Sequence, residues 1–319
     1  MNENIISTIV SINYIEKYIS SEYTLSKIID CKLLQSSTNL IYEIQTSSQK
    51  YIFKIYKYNS KSLSDINFEK NFVSYLNKNG INTSIYVSNI QGSFISEMSF
   101  YEGARYAILT TYANGIELTY DNREDAFFYG VNMAKLHKTS KNFKPTIIKN
   151  IDIKSRINTS IKTINIFLKS EYQHELKYFQ YFFKILLNKF QNLDMNDFNK
   201  VFCHGDLHGG NAHKLSSTIT LFDFDFSGYG LIVYDISVFK WRCMIMKEKV
   251  QWKDFLKGYQ EVIKLNNREL KYLLIFVAIH DLWVMHSYIK RTETMGSLYI
   301  NKFYIKQRID FLKKIEKQI

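Results

Sequence analysis

The sequence predicts an α+β protein of two lobes, on three observations. β-branched and aromatic runs dominate the first 110 residues around one amphipathic segment, helical periodicity dominates the rest, and the strand-like exceptions there are confined to 201–226. With 319 residues, 46% of them hydrophobic and 16% aromatic, the chain can bury a substantial core. The expected division is 1–110 and 111–319, with a hinge at about 110–116.

In the first lobe, Leu40 to Thr46 and Lys50 to Tyr56 are strands joined by the turn Ser47-Ser48-Gln49. Asp65 to Asn77 carries Ile66, Val73 and Leu76 at helical spacing and stops at Asn79-Gly80, so one helix should pack on the sheet. Ile85 to Ile90 and Phe94 to Met98 flank Gln91-Gly92-Ser93 and suggest a second hairpin. Arg105 to Thr111 is an apolar strand leading to Asn114-Gly115. In the second lobe, Arg123 to His137 and two stretches within Ile151 to Phe190 have helical apolar faces. Two or three short strands are expected between Val201 and Phe226, and helices from Asp235 onward. The last carries Ile305, Ile309, Leu312 and Ile315 on one stripe, read as facing the core because its polar face mixes acids with lysines.

Composition excludes several classes. No run of 18 uncharged apolar residues occurs, since Leu273 to Met285 is broken by His280 and Asp281, so a membrane partner is not expected. Cys31, Cys203 and Cys243 are too far apart for a zinc ribbon or a disulfide framework. With no basic leader at the N-terminus, a cytoplasmic location is expected. The net charge of +12 is spread over Lys residues interleaved with acids, so no nucleic-acid partner is expected either.

The chemistry-bearing residues lie in two motifs. Phe202 to Asn211 reads Phe-Cys-His-Gly-Asp-Leu-His-Gly-Gly-Asn, which sets a proton-accepting Asp206 and a metal-binding Asn211 five residues apart, with Gly209-Gly210 expected to allow the turn. Asp223 follows the apolar run Thr218 to Phe222, where a carboxylate can bind Mg²⁺ on nucleotide phosphates. In the first lobe, Lys54 interrupts a strand where an inward charge needs an anion, and Glu69 lies on the same helical seam as Ile66 and Val73. Each supplies the other's partner. His208 and His213 read as loop-surface residues, and Cys203 as a buried strand end.

Together these residues resemble the aminoglycoside phosphotransferase and choline kinase family, small-molecule relatives of protein kinases. The resemblance runs through Phe53-Lys-Ile-Tyr56, Asn67-Phe-Glu-Lys70, Arg105 to Gly115, Ala134-Lys-Leu-His137, His204 to Asn211, Leu221-Phe-Asp-Phe-Asp225 and Tyr234-Asp-Ile-Ser237. It implies a bilobal kinase-like fold binding ATP or GTP with Mg²⁺, Asp206 as base, and Asn211 and Asp223 as metal ligands. It also implies adenine held near Thr110, Thr111, Tyr112 and Ala113. The expected phosphate-covering turn, Gln35 with Ser36, Ser37, Thr38 and Asn39, contains no glycine, and its hydroxyls and amides would have to make the contacts instead.

Only eleven residues separate Asp223 from Asp235, too few for the activation segment of a protein Ser/Thr kinase, so a small hydroxyl compound is the expected acceptor. It could be an antibiotic such as an aminoglycoside, with resistance as the consequence, or a metabolite such as choline, homoserine or a sugar. Asp225, Trp241, Asp281 and Trp283 are candidate acceptor-site residues; His204 and Asp235 are candidate supports of the catalytic loop. The competing readings are a non-catalytic nucleotide-binding pseudokinase and a basic nucleic-acid-binding protein. Retention of Lys54, Asp206, Asn211 and Asp223 argues against the first, and the dispersed charge against the second.

Overall fold

The computed structural model of the chain describes residues 5–118, 122–246 and 252–319. These divide into two compact units. One runs to Ile116 and adds 145–147 and 213–222; the other comprises 117–144, 148–212 and 223–319.

The first unit is built on an antiparallel sheet of β1 (Ile28–Gln35), β2 (Leu40–Thr46), β3 (Lys50–Ile55), β4 (Tyr86–Val87), β5 (Ser96–Phe100) and β6 (Gly103–Thr111). Its order is β1-β2-β3-β6-β4, with β5 also on β6. The hairpin expected between 85–90 and 94–98 does not form. β5 instead turns through Tyr101-Glu102 onto β6, pairing Phe100 with Gly103 and Ser96 with Ala107, while β4 pairs with the far end of β6. A nine-residue β6 has backbone groups enough for both, and the Asn89 side-chain oxygen closes the Gln91–Ser93 turn locally by accepting from both of those backbone N–H groups.

The sequence reading also omits α1 (Ile12–Glu22), whose Ile, Asn and Tyr residues are weak helix formers. Tertiary burial decides it: Ile15 and Ile19 enter a core with Tyr42, Ile44, Phe53 and Leu109. α2 (Leu63–Lys78) starts at a capping box of Ser62 and Asp65 and reaches β3 through Glu69.

Two further strands, β9 (Ala212–Leu215) and β10 (Thr218–Leu221), come after a two-residue β7 (Ile116–Glu117) and after β8 (Lys200–Cys203). Residues 213–222, assigned to the second lobe on sequence, group with the first unit. Leu221 exchanges backbone hydrogen bonds with Asn82 and Ser84, and the His213 ring bonds the Ala113 carbonyl.

In the second unit, β8 pairs antiparallel with β11 (Gly228–Leu231). Around this ribbon lie α3 (Arg123–Ser140), α4 (Ile153–Glu171), α5 (Gln173–Gln191), α6 (Ile232–Met246), α7 (Trp252–Gln260), α8 (Asn267–Met295) and α9 (Lys302–Glu316). α8 is long and apolar enough to cross a membrane by length and composition, yet it is largely buried against α4, α6 and α9 and places Glu269, His280 and Asp281 inside the unit. On α9, Ile305, Leu312 and Ile315 are fully buried, as expected of a core-facing terminal helix.

Candidate active site

In the first unit the Lys54 side chain points inward. Its residue is 7% exposed, its Nζ lies 4.0 Å from Glu69 Oε1, and it sits 5.1 Å from the centre of the Tyr56 ring. Tyr56 Oη donates to the other Glu69 oxygen at 3.3 Å. The strand period puts Lys54 on this face, and α2 delivers Glu69 from its buried stripe of Ile66, Phe72, Val73 and Leu76. The glycine-free turn between β1 and β2 is braced internally: Gln35 Nε2 donates to Thr38 Oγ1, and Asn39 Oδ1 accepts from Lys57 N. At the end of β6, Thr110 pairs with Ile52 and Tyr86, Thr111 Oγ1 accepts from Ile85 N, and Tyr112 N donates to Lys50 O. Ala113 O is bonded to His213 Nδ1 at 2.5 Å. His213 is thus half-buried between Phe222 and Tyr112 instead of on a loop surface.

In the second unit the loop after β8 is organised by Asp235, from the first turn of α6. Its two oxygens accept from Gly205 N at 2.7 Å and His204 N at 2.8 Å, and the second also meets His137 Nε2 at 3.1 Å. Burial opposes ionisation of Asp235. The His137 hydrogen bond, the charges of His137 and His204 and the Gly205 N–H outweigh it and hold the carboxyl below its ordinary range. His137 in turn bonds Tyr259 Oη at 2.8 Å, so α3, α6 and α7 all converge on the loop. Cys203 is fully buried, and burial pushes its thiol well up, which fits an inert strand end.

The turn is made at a different glycine from the one expected. Gly209 to Asn211 form a short 3₁₀ turn, whereas Gly205 has φ +85° and an added Cβ there would lie 2.1 Å from Phe226 O. Beyond it, the Asp206 side chain keeps 27% of its surface, and among the described residues its carboxylate accepts no hydrogen bond. Burial raises the Asp206 carboxyl; His208 and His204 oppose the shift, and Asp223 adds to it. His208, expected on the loop surface, flanks this carboxylate: Nε2 lies 3.7 Å from Asp206 Oδ2, while Nδ1 accepts from Gly210 N at 3.1 Å. That bond leaves the proton of a neutral ring on Nε2, toward Asp206.

Asn211 donates through Nδ2 to Asp206 O at 2.8 Å, so its side-chain oxygen remains for another partner. Asp223 sits just past β10 at φ +61°, a left-handed conformation that a non-glycine residue adopts at a cost. A carboxylate and an amide oxygen are the hard donors that Mg²⁺ takes, so these two residues fit that ion.

Of the four acceptor candidates, Trp241 and Asp281 are brought together by α6 and α8. Trp241 Nε1 and Arg308 Nη1 both donate to Asp281 Oδ1 at 2.7 Å, and Asp281 is 1% exposed. Asp225 is buried, with its backbone carbonyl accepting from Lys149 Nζ; Trp283 is half-buried and stacks on His286. Sequence reasoning missed Arg156 and did not foresee the part played by His137. Arg156 could have been found as a cation on the apolar stripe of α4, between Ile153 and Ile157.

The fold and this loop define a kinase-like phosphotransferase. The model of the phosphotransferase enzyme family matches residues 30–263, and the chain belongs to that family. Amicoumacin kinase of Bacillus subtilis is 24% identical over 280 residues, covering 80% of this chain and 81% of its own. Among solved structures, an amicoumacin kinase in complex with AMP-PNP, Ca²⁺ and Ami superposes with a TM-score of 0.77 at 19% identity, covering 96% of this chain and 93% of the other. A microcompartment-associated aminopropanol kinase superposes with a TM-score of 0.72 at 17% identity, covering 96% and 95%.

Proposed function

We propose that the protein transfers the γ-phosphoryl group of ATP or GTP to a hydroxyl of a small molecule in a Mg²⁺-dependent reaction. The observation that carries this reading is the state of Asp206: a partly exposed carboxylate that burial raises and that accepts no hydrogen bond among the described residues, at the end of a loop whose backbone is clamped by Asp235. Membership of the phosphotransferase family and the nucleotide analogue bound by the similar amicoumacin kinase support it.

In this mechanism Asp206 orients the acceptor hydroxyl and takes its proton while the hydroxyl oxygen bonds to the γ-phosphorus and the bridging P–O bond breaks. Lys54, held by Glu69, binds the nucleotide phosphates. Ser36, Ser37, Thr38 and Asn39 lie over them, and backbone groups of Thr110 to Ala113 receive the base. Asn211 and Asp223 would hold Mg²⁺, which when bound neutralises phosphate charge. Gly205, clamped by Asp235 and closed against Phe226, fixes the backbone from which Asp206 projects toward the acceptor. Asp225 and Trp283 are proposed acceptor contacts; Trp241 and Asp281 hold the helices behind them. We place the activity in the cytoplasm, with no membrane or nucleic-acid partner.

The test is a phosphoryl-transfer assay with ATP or GTP and Mg²⁺ over a panel of hydroxyl compounds, with Asp206→Ala alongside. Wild-type turnover falling about a thousandfold in the variant supports the reading. Full turnover by Asp206→Ala would sink it, and binding of nucleotide without any turnover would favour the pseudokinase reading.

A further inference from the structure

Three arginines are buried among the described residues. Arg105 and Arg308 each meet a carboxylate, Glu102 at 3.2 Å and Asp281 at 2.7 Å. Arg156, 8% exposed on α4, meets none. Its guanidinium lies 4.9 Å from the centre of the Tyr234 ring, 5.0 Å from Trp283 and 5.8 Å from Phe226, and its one side-chain hydrogen bond runs from Nη1 to Tyr234 Oη at 2.5 Å. Aromatic faces attract a guanidinium, yet three rings, one of them the Tyr234 phenol, do not balance a full buried charge, and most of its N–H donors are left for another partner.

The position of this box within the unit gives the charge a use. Phe226 is the third residue after Asp223, and its carbonyl packs against Gly205, the residue before Asp206. Phe226 is 38% exposed and Trp283 half-buried, so the box is not sealed. The Arg156 charge is also felt at the Asp206 carboxylate, behind those of His208 and His204.

We propose that Arg156 binds a carboxylate on the acceptor, so that the molecule phosphorylated by this protein is a small hydroxylated carboxylate, such as a hydroxy acid or a hydroxyl-bearing amino acid. The proposal rests on the phosphotransferase reading above. A planar carboxylate matches the guanidinium fork and brings one negative charge to one unbalanced positive charge. A phosphate would bring nearly two, leaving excess negative charge close to Asp206 and to the transferring phosphoryl group. A polyamine would bring further positive charge to a buried cation, which disfavours it. In the reaction the acceptor hydroxyl oxygen bonds to the γ-phosphorus, the bridging P–O bond breaks, the proton passes to Asp206, and the acceptor carboxylate stays unchanged on Arg156.

The experiment compares initial rates with ATP and Mg²⁺ on L-homoserine and 3-hydroxybutyrate, on the primary amide of each, and on choline and kanamycin as cationic comparators. The expected result is a kcat/KM about 100-fold higher for an acid than for its amide, as loss of a charge-assisted bond predicts. Arg156→Gln should raise the KM for the acid by a similar factor while kcat changes far less, and Arg156→Lys should recover only part of the loss. Equal rates on acid and amide, best turnover of a cationic acceptor, or an Arg156→Gln effect on kcat with KM unchanged would each overturn the proposal. A thermal-shift titration of the wild type and both variants with 3-hydroxybutyrate and its amide reads the carboxylate site without turnover, and no preference for the acid there also overturns it. Absence of nucleotide turnover with every acceptor and with water, beside a clear acid preference in that titration, would count against the phosphotransferase reading and leave the carboxylate site standing.

Discussion

In the first unit, Lys54 and Glu69 approach only to 4.0 Å, and the ammonium shares its surroundings with the Tyr56 ring. In the second, Asp235 holds the catalytic loop with bonds of 2.7 and 2.8 Å to two consecutive backbone N–H groups and is itself held by His137. On the mechanism proposed, Lys54 receives a mobile, highly charged ligand. The backbone that, on the same mechanism, presents Asp206 is fixed by charge-assisted bonds from Asp235 that rotamer changes of Asp206 cannot relax. Damage on the first side should therefore fall mainly on nucleotide binding, and damage on the second on the structure of the loop and on turnover alike.

Asp206→Ala should have the largest effect, about a thousandfold on turnover, with thermal stability close to wild type because this carboxylate makes no hydrogen bond that holds the fold. Asp235→Asn should cost about 3 kcal/mol in chemical denaturation, since an amide cannot accept from both N–H groups and His137 as a carboxylate does, and turnover should fall with it. Gly205→Ala should cost roughly 2 kcal/mol or more, from its positive φ and from the Phe226 carbonyl that the new Cβ would meet. Lys54→Met should raise the nucleotide KM roughly tenfold and cost about 2 kcal/mol, because Glu69 is left buried without its cation; a stability loss as large as that of Asp235→Asn would erase the contrast.

The smallest effect concerns pH. Burial, with the nearby charge of Arg156, holds the His280 imidazole well below its ordinary 6.5, so the folded protein keeps it neutral. The unfolded chain then binds the extra proton. Stability is complete above 6.5 and falls as the pH drops below it, by about 1 kcal/mol between pH 6.5 and 5.5. His280→Gln should flatten that part of a denaturation series measured against pH.

Much of this was legible beforehand because it is written in local chemistry. Strand alternation around Lys54, the helical seam carrying Glu69 and the spacing from Asp206 to Asn211 each concern residues close in sequence, and family resemblance joined them. The hairpin expected at 85–98 failed for the opposite reason: which strand a short apolar run joins depends on the backbone groups that β6 offers, and these lie outside the run. Gly209-Gly210 drew attention as a pair, yet the backbone demand fell on Gly205, because the constraint is the approach of Phe226 from 21 residues away.

By itself, the sequence determined the α+β class, the two-part organisation of strands and helices, and the residue types able to transfer a phosphoryl group, since periodicity and motif spacing are short-range properties. Which polar groups were spent, and which were not, followed from packing. It gave the Asp281 oxygen to Trp241 and Arg308, tied both Asp235 oxygens to the loop, and left Arg156 among three rings without a carboxylate. Hydrogen bonding and charge balance in a buried site are sums over partners far apart in the chain, and those sums exist only once the helices have packed.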